Sequence, residues 1–220
     1  MKTLNQIIVP AVLSLTALMA GCSSNQPVRY SAIDSAAKLT ANTDDNADRI
    51  PYRYAPHVDW RKYNSMIIDP VSIYQGKDGQ FDDMALSDRQ TLATYMQQQF
   101  SKSLSTRFKE VSQPGADTLR LKLTLTGAET TPQVVGTFTK FDLAGGPYNL
   151  VQSIRGGEGL LSGSVNYAVE IYDATSHQLL QAYVARHYPN AMNVSASIGS
   201  LSAAEVGIDK GAEELAGMLK

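Results

Sequence analysis

Cysteine is almost absent from this chain, since Cys22 is the only one among 220 residues. A single cysteine excludes an intramolecular disulfide and any zinc site built from several cysteines. Strong charge of one sign is missing too, because 19 Lys+Arg against 21 Asp+Glu give a formal net charge of −2. Nucleic-acid-binding domains usually carry a basic footprint. We therefore expect no nucleic-acid partner.

The N-terminal apolar run is too short to span a membrane. It covers residues 7–20 and is interrupted by Pro10, Ser14 and Thr16, whereas a spanning helix needs about 20 mostly apolar residues. With Lys2 before it, the run has the layout of an export signal. We predict that residues 1–21 are a signal peptide and take no part in the fold.

The apolar run ends in the segment 18–22, Leu-Met-Ala-Gly-Cys, which resembles the bacterial lipobox. Met19 departs from the usual Leu at its position. The resemblance implies cleavage between Gly21 and Cys22 and attachment of diacylglycerol and palmitate to Cys22. The alternative is an ordinary cleaved signal that leaves Cys22 as a free thiol. Ser23, rather than Asp, follows the cysteine, which resembles outer-membrane sorting in Gram-negative lipoproteins and predicts a lipid-anchored protein that faces the periplasm.

Residues 23–46 are polar and show no sustained apolar period. We predict a lipidated flexible tether over residues 22–46 and a single α+β periplasmic domain over residues 47–220. The domain begins with an extended strap, Arg49–Trp60, because prolines at 51 and 56 disfavour helix. Its aromatic and cationic side chains could form a recognition surface, but we favour a strap packed onto the domain. The residues concerned are Tyr52, Arg53, Tyr54 and Trp60.

Two helices and several strands follow from the periodicity of the domain. Ser87 and Ser202 each start a predicted capping box. The first helix carries the apolar stripe Leu92, Ala93, Met96, Phe100 and Leu104, and the second carries Ile208, Ala212, Leu215 and Leu219. Gly207 and Gly211 in the second helix suggest close approach to a neighbour, because each glycine costs roughly 1 kcal/mol relative to Ala.

The strands alternate between apolar and polar residues. Ser65–Asp69 gives one strand, Thr118–Thr126 a second with leucines on one face, and Ser164–His187 a hairpin that turns at residues 173–176. The order predicts an α+β fold, in which a two-layer domain packs amphipathic helices on one face of a mixed, largely antiparallel sheet. We expect the other face to be wet.

No catalytic motif stands out. The glycine-rich stretch of residues 144–163 lacks the Lys-Ser or Lys-Thr of a phosphate loop, so we interpret it as an irregular structural or partner-binding loop. His57, His177 and His187 lack metal-ligand spacing, and we predict no metal and no cofactor. Glycan hydrolysis needs a pair of carboxylates, but any domain of this size has several, so their presence alone does not indicate a hydrolase. The candidates are Asp59, Asp69, Glu158, Glu170 and Asp173.

Several blocks of the domain resemble one known family. They are Pro51–Tyr54, Val58–Trp60, Asp69–Val71, Tyr167–Glu170 and Tyr188–Asn193. Together they are similar to a family of bacterial lipoproteins catalogued only as a domain of unknown function (DUF3313-like). The resemblance covers nearly the whole mature chain and implies an exported lipoprotein, but it supplies no catalytic residue. The topology is more distantly similar to lipoproteins that assist curli secretion or activate peptidoglycan synthases.

These observations favour a non-enzymatic, membrane-anchored lipoprotein of the bacterial envelope that binds a periplasmic partner, either an envelope protein or peptidoglycan. The alternatives are a peptidoglycan or glycan hydrolase and a self-assembling secretion-accessory lipoprotein. The last would need a long hairpin over residues 134–161, which the Gly145–Pro147 break disfavours. We predict polar and aromatic contact residues on flexible backbone: Tyr148, Asn149, Arg155, Tyr188, Asn190 and Asn193.

Overall fold

The computed structural model describes residues 26–130, 145–155, 163–190, 193 and 199–220. The strands are β1 (Thr40–Ala41), β2 (Tyr52–Tyr54), β3 (Ser65–Ile68), β4 (Ser72–Ile73), β5 (Lys109–Glu110), β6 (Thr118–Glu129), β7 (Ser164–Asp173) and β8 (Leu179–His187). The helices are α1 (Leu86–Leu104), α2 (Gly145–Arg155) and α3 (Ser202–Met218), and single 3₁₀ turns occupy Ala36–Lys38 and Trp60–Lys62. The predicted signal peptide and Cys22 lie outside the described residues.

The strands form one open, mixed sheet in the order β1-β2-β8-β7-β6-β3-β5, and β4 also pairs with β6. The β6-β7-β8 centre is antiparallel, whereas β3 and β4 run parallel to β6. The predicted α+β class and the hairpin of β7 and β8 are confirmed. The alternation in β6 is confirmed as well, because its four leucines, at positions 119, 121, 123 and 125, are all buried.

Helices α1 and α3 pack on the leucine face of the sheet. Every residue of the two predicted apolar stripes is buried. The Phe100 ring of α1 meets the Tyr167 ring of β7 edge-on, with centroids 5.7 Å apart, and Tyr167 is the cross-strand neighbour of Leu125. The helical layer is therefore positioned by the stripes that the sequence displays.

The opposite face of the sheet is covered by the N-terminal segment, which we define as residues 26–50. Tyr30, Ile33, Leu39 and Ile50 are buried in the common core, and the backbone N–H of Ser35 donates to Glu170 Oε1 at 2.6 Å. The predicted flexible tether over residues 22–46 is therefore wrong from residue 26 onward. The prediction of a wet sheet face is wrong for the same reason, since β7 is buried on both faces up to Ile171.

The strap that follows is packed, as the favoured interpretation predicted. Tyr52 and Tyr54 lie on β2, which pairs with β8 at the sheet, and both pack on the core together with Trp60. Arg53 Nη1 forms an ion pair with Asp44 Oδ2 at 2.6 Å. These side chains mainly hold the edge of the sheet.

The two predicted capping boxes are not formed. Helix α1 starts at Leu86 with Ala85 as its N-cap, and α3 starts at Ser202 with Leu201 as its N-cap. Neither cap makes a side-chain hydrogen bond. Ser87 is therefore the second residue of α1 and Ser202 the first residue of α3, and neither serine is an N-cap.

The irregular loop predicted for residues 144–163 is also wrong over its first part, where residues 145–155 form α2. Pro147 lies in the first turn, where its missing N–H would have no intrahelical partner. The apolar residues Leu150, Val151 and Ile154 then follow at helical spacing. A continuous hairpin over residues 134–161 is therefore not formed.

The two predicted close approaches of α3 are confirmed. A Cβ built on Gly207 would lie 2.8 Å from both His187 O and Val165 Cγ1. A Cβ on Gly211 would overlap the hydroxyl of the buried Tyr167. The glycines let α3 approach the sheet more closely than any other residue would.

We expect Gly207→Ala to destabilise the domain by about 1–3 kcal/mol, because the added methyl meets strand backbone that cannot move aside. Gly217→Ala in the same helix is the matched control, since nothing lies within 4 Å of its Cβ. The control is expected to gain about 0.5–1 kcal/mol from helix propensity. Urea denaturation measures both values. Equal behaviour of the two variants would contradict the close approach.

Candidate functional site

Two adjoining cavities form a charged groove on the sheet face opposite α1 and α3. Their volumes are about 560 Å³ and 320 Å³, and both are lined by Asp69 and Lys122. The larger cavity lies between β6 and the N-terminal segment, and the smaller one extends toward Tyr172 and His177. We call these two cavities, with the side chains of Asp34, Asp69, Arg120, Lys122, Glu170 and Tyr172, the charged groove.

The polar face of β6 supplies the cations of the charged groove. Arg120 Nε donates to both carboxylate oxygens of Asp69, at 2.9 and 3.1 Å. Lys122 Nζ lies 2.9 Å from Asp34 Oδ2 in the N-terminal segment. All four side chains keep some exposure to solvent, so a ligand could reach their unused donors and acceptors.

The wall of the groove comes from β7. Glu170 is buried and is the cross-strand neighbour of Lys122. Lys122 Nζ also lies 5.2 Å from the centroid of the Tyr172 ring. Burial raises the pKa of Tyr172, which keeps its hydroxyl protonated and able to donate. The groove therefore presents an aromatic face beside both signs of charge.

The structure brings together two of the five carboxylates considered for hydrolysis, Asp69 and Glu170, which line the same cavity. Each is engaged already: Asp69 by Arg120 and Glu170 by the N–H of Ser35. Glycoside hydrolysis instead needs one carboxyl that stays protonated to act as a general acid. These contacts suit hydrogen bonding to a bound molecule better than proton transfer.

Two of the other three carboxylates, Asp59 and Asp173, do not join this pair. Asp59 is exposed and forms an ion pair with Arg61 at 2.9 Å. Asp173 caps the β7–β8 turn, where the backbone N–H of Ser176 lowers the pKa of its carboxyl. Glu158 lies outside the described residues.

The three histidines are dispersed. His187 is buried and stacks on Tyr167 with ring centroids 5.7 Å apart. Burial is the main cause that lowers the pKa of His187 to about 3, and the nearby charges of Arg49 and Lys210 lower it further. Glu214 Oε2 lies 3.5 Å from its Nε2. His177 is exposed in the β7–β8 turn and His57 in the strap. Within the described ranges, no group of three His, Cys, Asp or Glu could hold a metal ion.

The predicted contact residues on α2 do not lie on flexible backbone. Tyr148 is exposed, but Asn149 is buried and points away from solvent. Arg155 ends the helix, and its side chain lies outside the described part of the structure. The outward surface of α2 is therefore apolar, with Leu150 and Val151 exposed beside Tyr148.

Of the three contact residues predicted after β8, Asn190 bonds directly to α2. Ser153 Oγ donates to Asn190 Oδ1 at 2.7 Å, and Asn190 Nδ2 donates back to Ser153 O at 3.3 Å. The N–H of Asn193 donates to Asn190 O at 2.8 Å, and Tyr188 O accepts from Lys210 Nζ at 3.1 Å. Asn190 therefore fixes α2 to the end of β8 instead of standing free as a contact.

One family of proteins matches almost the whole folded chain. The profile of the family described as "Protein of unknown function (DUF3313)" matches residues 29–215. The chain belongs to this family. Its matched range begins inside the N-terminal segment, in agreement with the packing of that segment on the sheet.

Comparison with other proteins adds little beyond this DUF3313 membership. No curated protein matches the chain. Among solved structures, it is similar to the PelC dodecamer from Paraburkholderia phytofirmans, with 10% identity, a TM-score of 0.39 and coverage of 74% of this chain and 94% of that one. It is also similar to protein XCC0632 from Xanthomonas campestris, with 9% identity, a TM-score of 0.36 and coverage of 74% and 88%. Likenesses at these TM-scores carry no argument about function.

Sequence reasoning missed the charged groove as a site. The alternation of β6 places Arg120 and Lys122 on the polar face, but Asp34 falls in the predicted tether.

Among the described residues of this DUF3313 protein, no helix has the length and apolar character that a bilayer-spanning segment needs.

Proposed function

We propose that this DUF3313 protein is a lipid-anchored, non-enzymatic protein of the bacterial outer membrane that binds an envelope polymer in the periplasm. The anchor is Cys22, the only cysteine of the chain, placed directly after a lipobox-like segment. An acyl chain contributes about 0.8 kcal/mol of membrane binding per buried methylene, and stable anchoring needs two hydrophobic signals. A diacylated cysteine meets that requirement. The free-thiol alternative leaves this placement unexplained.

The charged groove is the observation that supports the binding role. It offers a protonated tyrosine hydroxyl, a guanidinium, an ammonium and carboxylates within two adjoining cavities. Peptidoglycan carries the complementary groups, because its stem peptides bear carboxylates and amines and its sugars bear hydroxyls. Each ion pair at the groove is partly exposed, so it can exchange one hydrogen bond for another without the desolvation cost of a bare buried charge.

The hydrolase alternative predicts a different result with purified sacculi. A hydrolase would release soluble fragments from purified sacculi, whereas a binding protein would sediment with them unchanged. The contacts of Asp69 and Glu170 with Arg120 and Ser35 favour binding. Self-assembly is the weaker alternative, because residues 145–155 form a helix rather than part of a long hairpin.

We expect Lys122→Gln to weaken co-sedimentation of the purified full chain with peptidoglycan sacculi by about fivefold or more, since charge-assisted hydrogen bonds contribute roughly 1.5–3 kcal/mol. The substitution keeps most of the side-chain length and removes the charge beside Asp34 and Tyr172. Lys102→Gln, an exposed change on α1, is the matched control and should bind as the wild type does.

Equal binding by the two variants would contradict a role for the charged groove in recognition. Release of soluble muropeptides by the wild-type protein would contradict the non-enzymatic assignment. Chromatography of the supernatant after sedimentation detects such fragments in the same experiment.

A further inference from the structure

Five large apolar side chains are exposed among the residues that the structure describes. The most exposed are Leu86 at 68%, Leu150 at 54% and Val151 and Tyr148 at 46% each, and Val28 follows at 39%. Single exposed apolar residues are common in soluble proteins, whereas a group of them on one surface marks an interaction site. The positions of these five residues in the fold therefore decide whether they mark an interaction site.

Val28 and Leu86 lie at the same end of the sheet. Gln80 forms a bridge with Gly127, near the end of β6, and its side-chain Nε2 donates to Gln26 O at 2.9 Å. Val28 follows Gln26 closely, and Leu86 opens α1 at the end of the loop that contains Gln80. The chain thus enters the fold at the end of the sheet where β6 finishes.

Helix α2 belongs to that end as well. It lies in the connection between the last residue of β6, Glu129, and the first of β7, Ser164, which are cross-strand neighbours. Its Ser153 bonds to Asn190, three residues beyond the end of β8. We call the end of the sheet that carries Val28, Leu86, Tyr148, Leu150 and Val151 the apolar end.

The anchor and the apolar end are close along the chain. Gln26, already bonded to Gln80, follows Cys22 by four residues, and four residues span at most about 14 Å when fully extended. We propose that the apolar end lies on the bilayer into which Cys22 is anchored, with Leu150 and Val151 in the lipid interface. This inference rests on the proposed lipid anchor and adds the orientation of the domain.

The composition of the surface fits a membrane interface. Tyrosine is enriched at headgroup depth, and an amphipathic helix that lies in the interface buries its apolar face about 5–10 Å deep. Exposed charges of both signs lie at the same end, with Asp82 and Asp83 in the loop before α1 and Arg29 and Lys77 close by. The proposed contact is therefore hydrophobic rather than electrostatic, and its partner is a zwitterionic bilayer. The charged groove extends from the N-terminal segment toward the opposite, β7–β8 end of the sheet and stays open to the periplasm.

A single-tryptophan experiment tests this orientation. The full lipidated protein is isolated from bacterial membranes and reconstituted into phosphatidylcholine vesicles with bromine-labelled acyl chains, in a Trp60→Phe background that removes the only native tryptophan. Leu150→Trp places the reporter on α2. The matched control, Gln178→Trp, places it on the exposed β7–β8 turn at the other end of the sheet. Val151→Trp is a second reporter if Leu150→Trp fails to fold.

We expect a roughly twofold loss of tryptophan emission from the Leu150→Trp variant on bromination, because a side chain at interface depth lies close to the acyl chains. The Gln178→Trp variant should lose none. Unquenched emission from both α2 reporters on anchored protein overturns the orientation, whether the spectrum indicates water, another segment of this chain or a protein partner around the reporter. Equal quenching of the Leu150→Trp and Gln178→Trp variants overturns it too. Failure of the protein to float with vesicles at all would instead overturn the lipid anchor, so the two failures are distinguishable.

Discussion

Cys22→Ala is expected to remove the protein from the membrane completely while leaving the stability of the folded domain unchanged. The anchor that we propose supplies two or three acyl chains, each of which contributes about 0.8 kcal/mol per buried methylene. Without the thiol there is no nucleophile for diacylglycerol transfer. The apolar end alone provides a small interfacial contact, which is too weak to hold the protein through a detergent partition.

Phase partitioning in a temperature-sensitive detergent measures the loss of the anchor, and thermal unfolding of the purified domain measures its stability. The wild type should enter the detergent phase and Cys22→Ala the aqueous phase, with melting temperatures that agree. Incorporation of radioactive palmitate into the Cys22→Ala protein would contradict lipidation at this position.

Leu121→Asp is expected to unfold or nearly unfold the domain. Leu121 is fully buried in β6, where its cross-strand neighbour is Ile171. A carboxylate at this position has no cation or N–H to pair with and loses its hydration, which together with the lost apolar contacts costs about 4–5 kcal/mol. Domains of this size have about 5–15 kcal/mol of total stability.

Leu86→Asp is the matched control for this change. It makes the same substitution at the most exposed large apolar residue described, and an acidic group in the first turn of α1 is favourable for the helix dipole. The free energy of unfolding should therefore change by no more than about 0.5 kcal/mol. Chemical denaturation distinguishes the two variants, and similar losses in both would show that β6 does not face the core as described.

The regular elements of the core could be predicted because their burial follows a simple period. The four leucines of β6 alternate, and the stripes of α1 and α3 recur at helical spacing, so each side chain shows its direction in the sequence. The close approach of α3 was visible too, since glycine inside a helix has an energetic cost that packing must offset. These features depend on local sequence alone.

The N-terminal segment could not be predicted on the same basis. The segment has little regular secondary structure, and its buried residues do not follow a helix or strand period. They fill gaps that exist only after the sheet has formed: Tyr30, Ile33 and Leu39. Their spacing follows the shape of the sheet rather than a period of the chain. The polar residues around them predicted a flexible tether, but the segment packs on the sheet instead.

The charged groove escaped prediction because its ion pairs are distant in sequence. Asp34 and Lys122 are separated by 88 positions, and Asp69 and Arg120 by 51. Nothing local marks either pair, and the partner of Lys122 becomes apparent only when the N-terminal segment is placed on the sheet. Helix α2 was not predicted either, because its first residues are rich in glycine. Its outward surface is apolar because Asn149 and Ser153 face the domain.

The lipid anchor can be tested on the N-terminal peptide of the protein isolated from membranes of a Gram-negative bacterium. Mass spectrometry of that peptide should find Cys22 as the first residue, with residues 1–21 removed, a diacylglycerol group on its sulfur and an acyl chain on its amine. A peptide that begins upstream of Cys22, or that begins at Cys22 with an unmodified thiol, would contradict the lipid anchor on which the proposed function and the orientation of the domain depend.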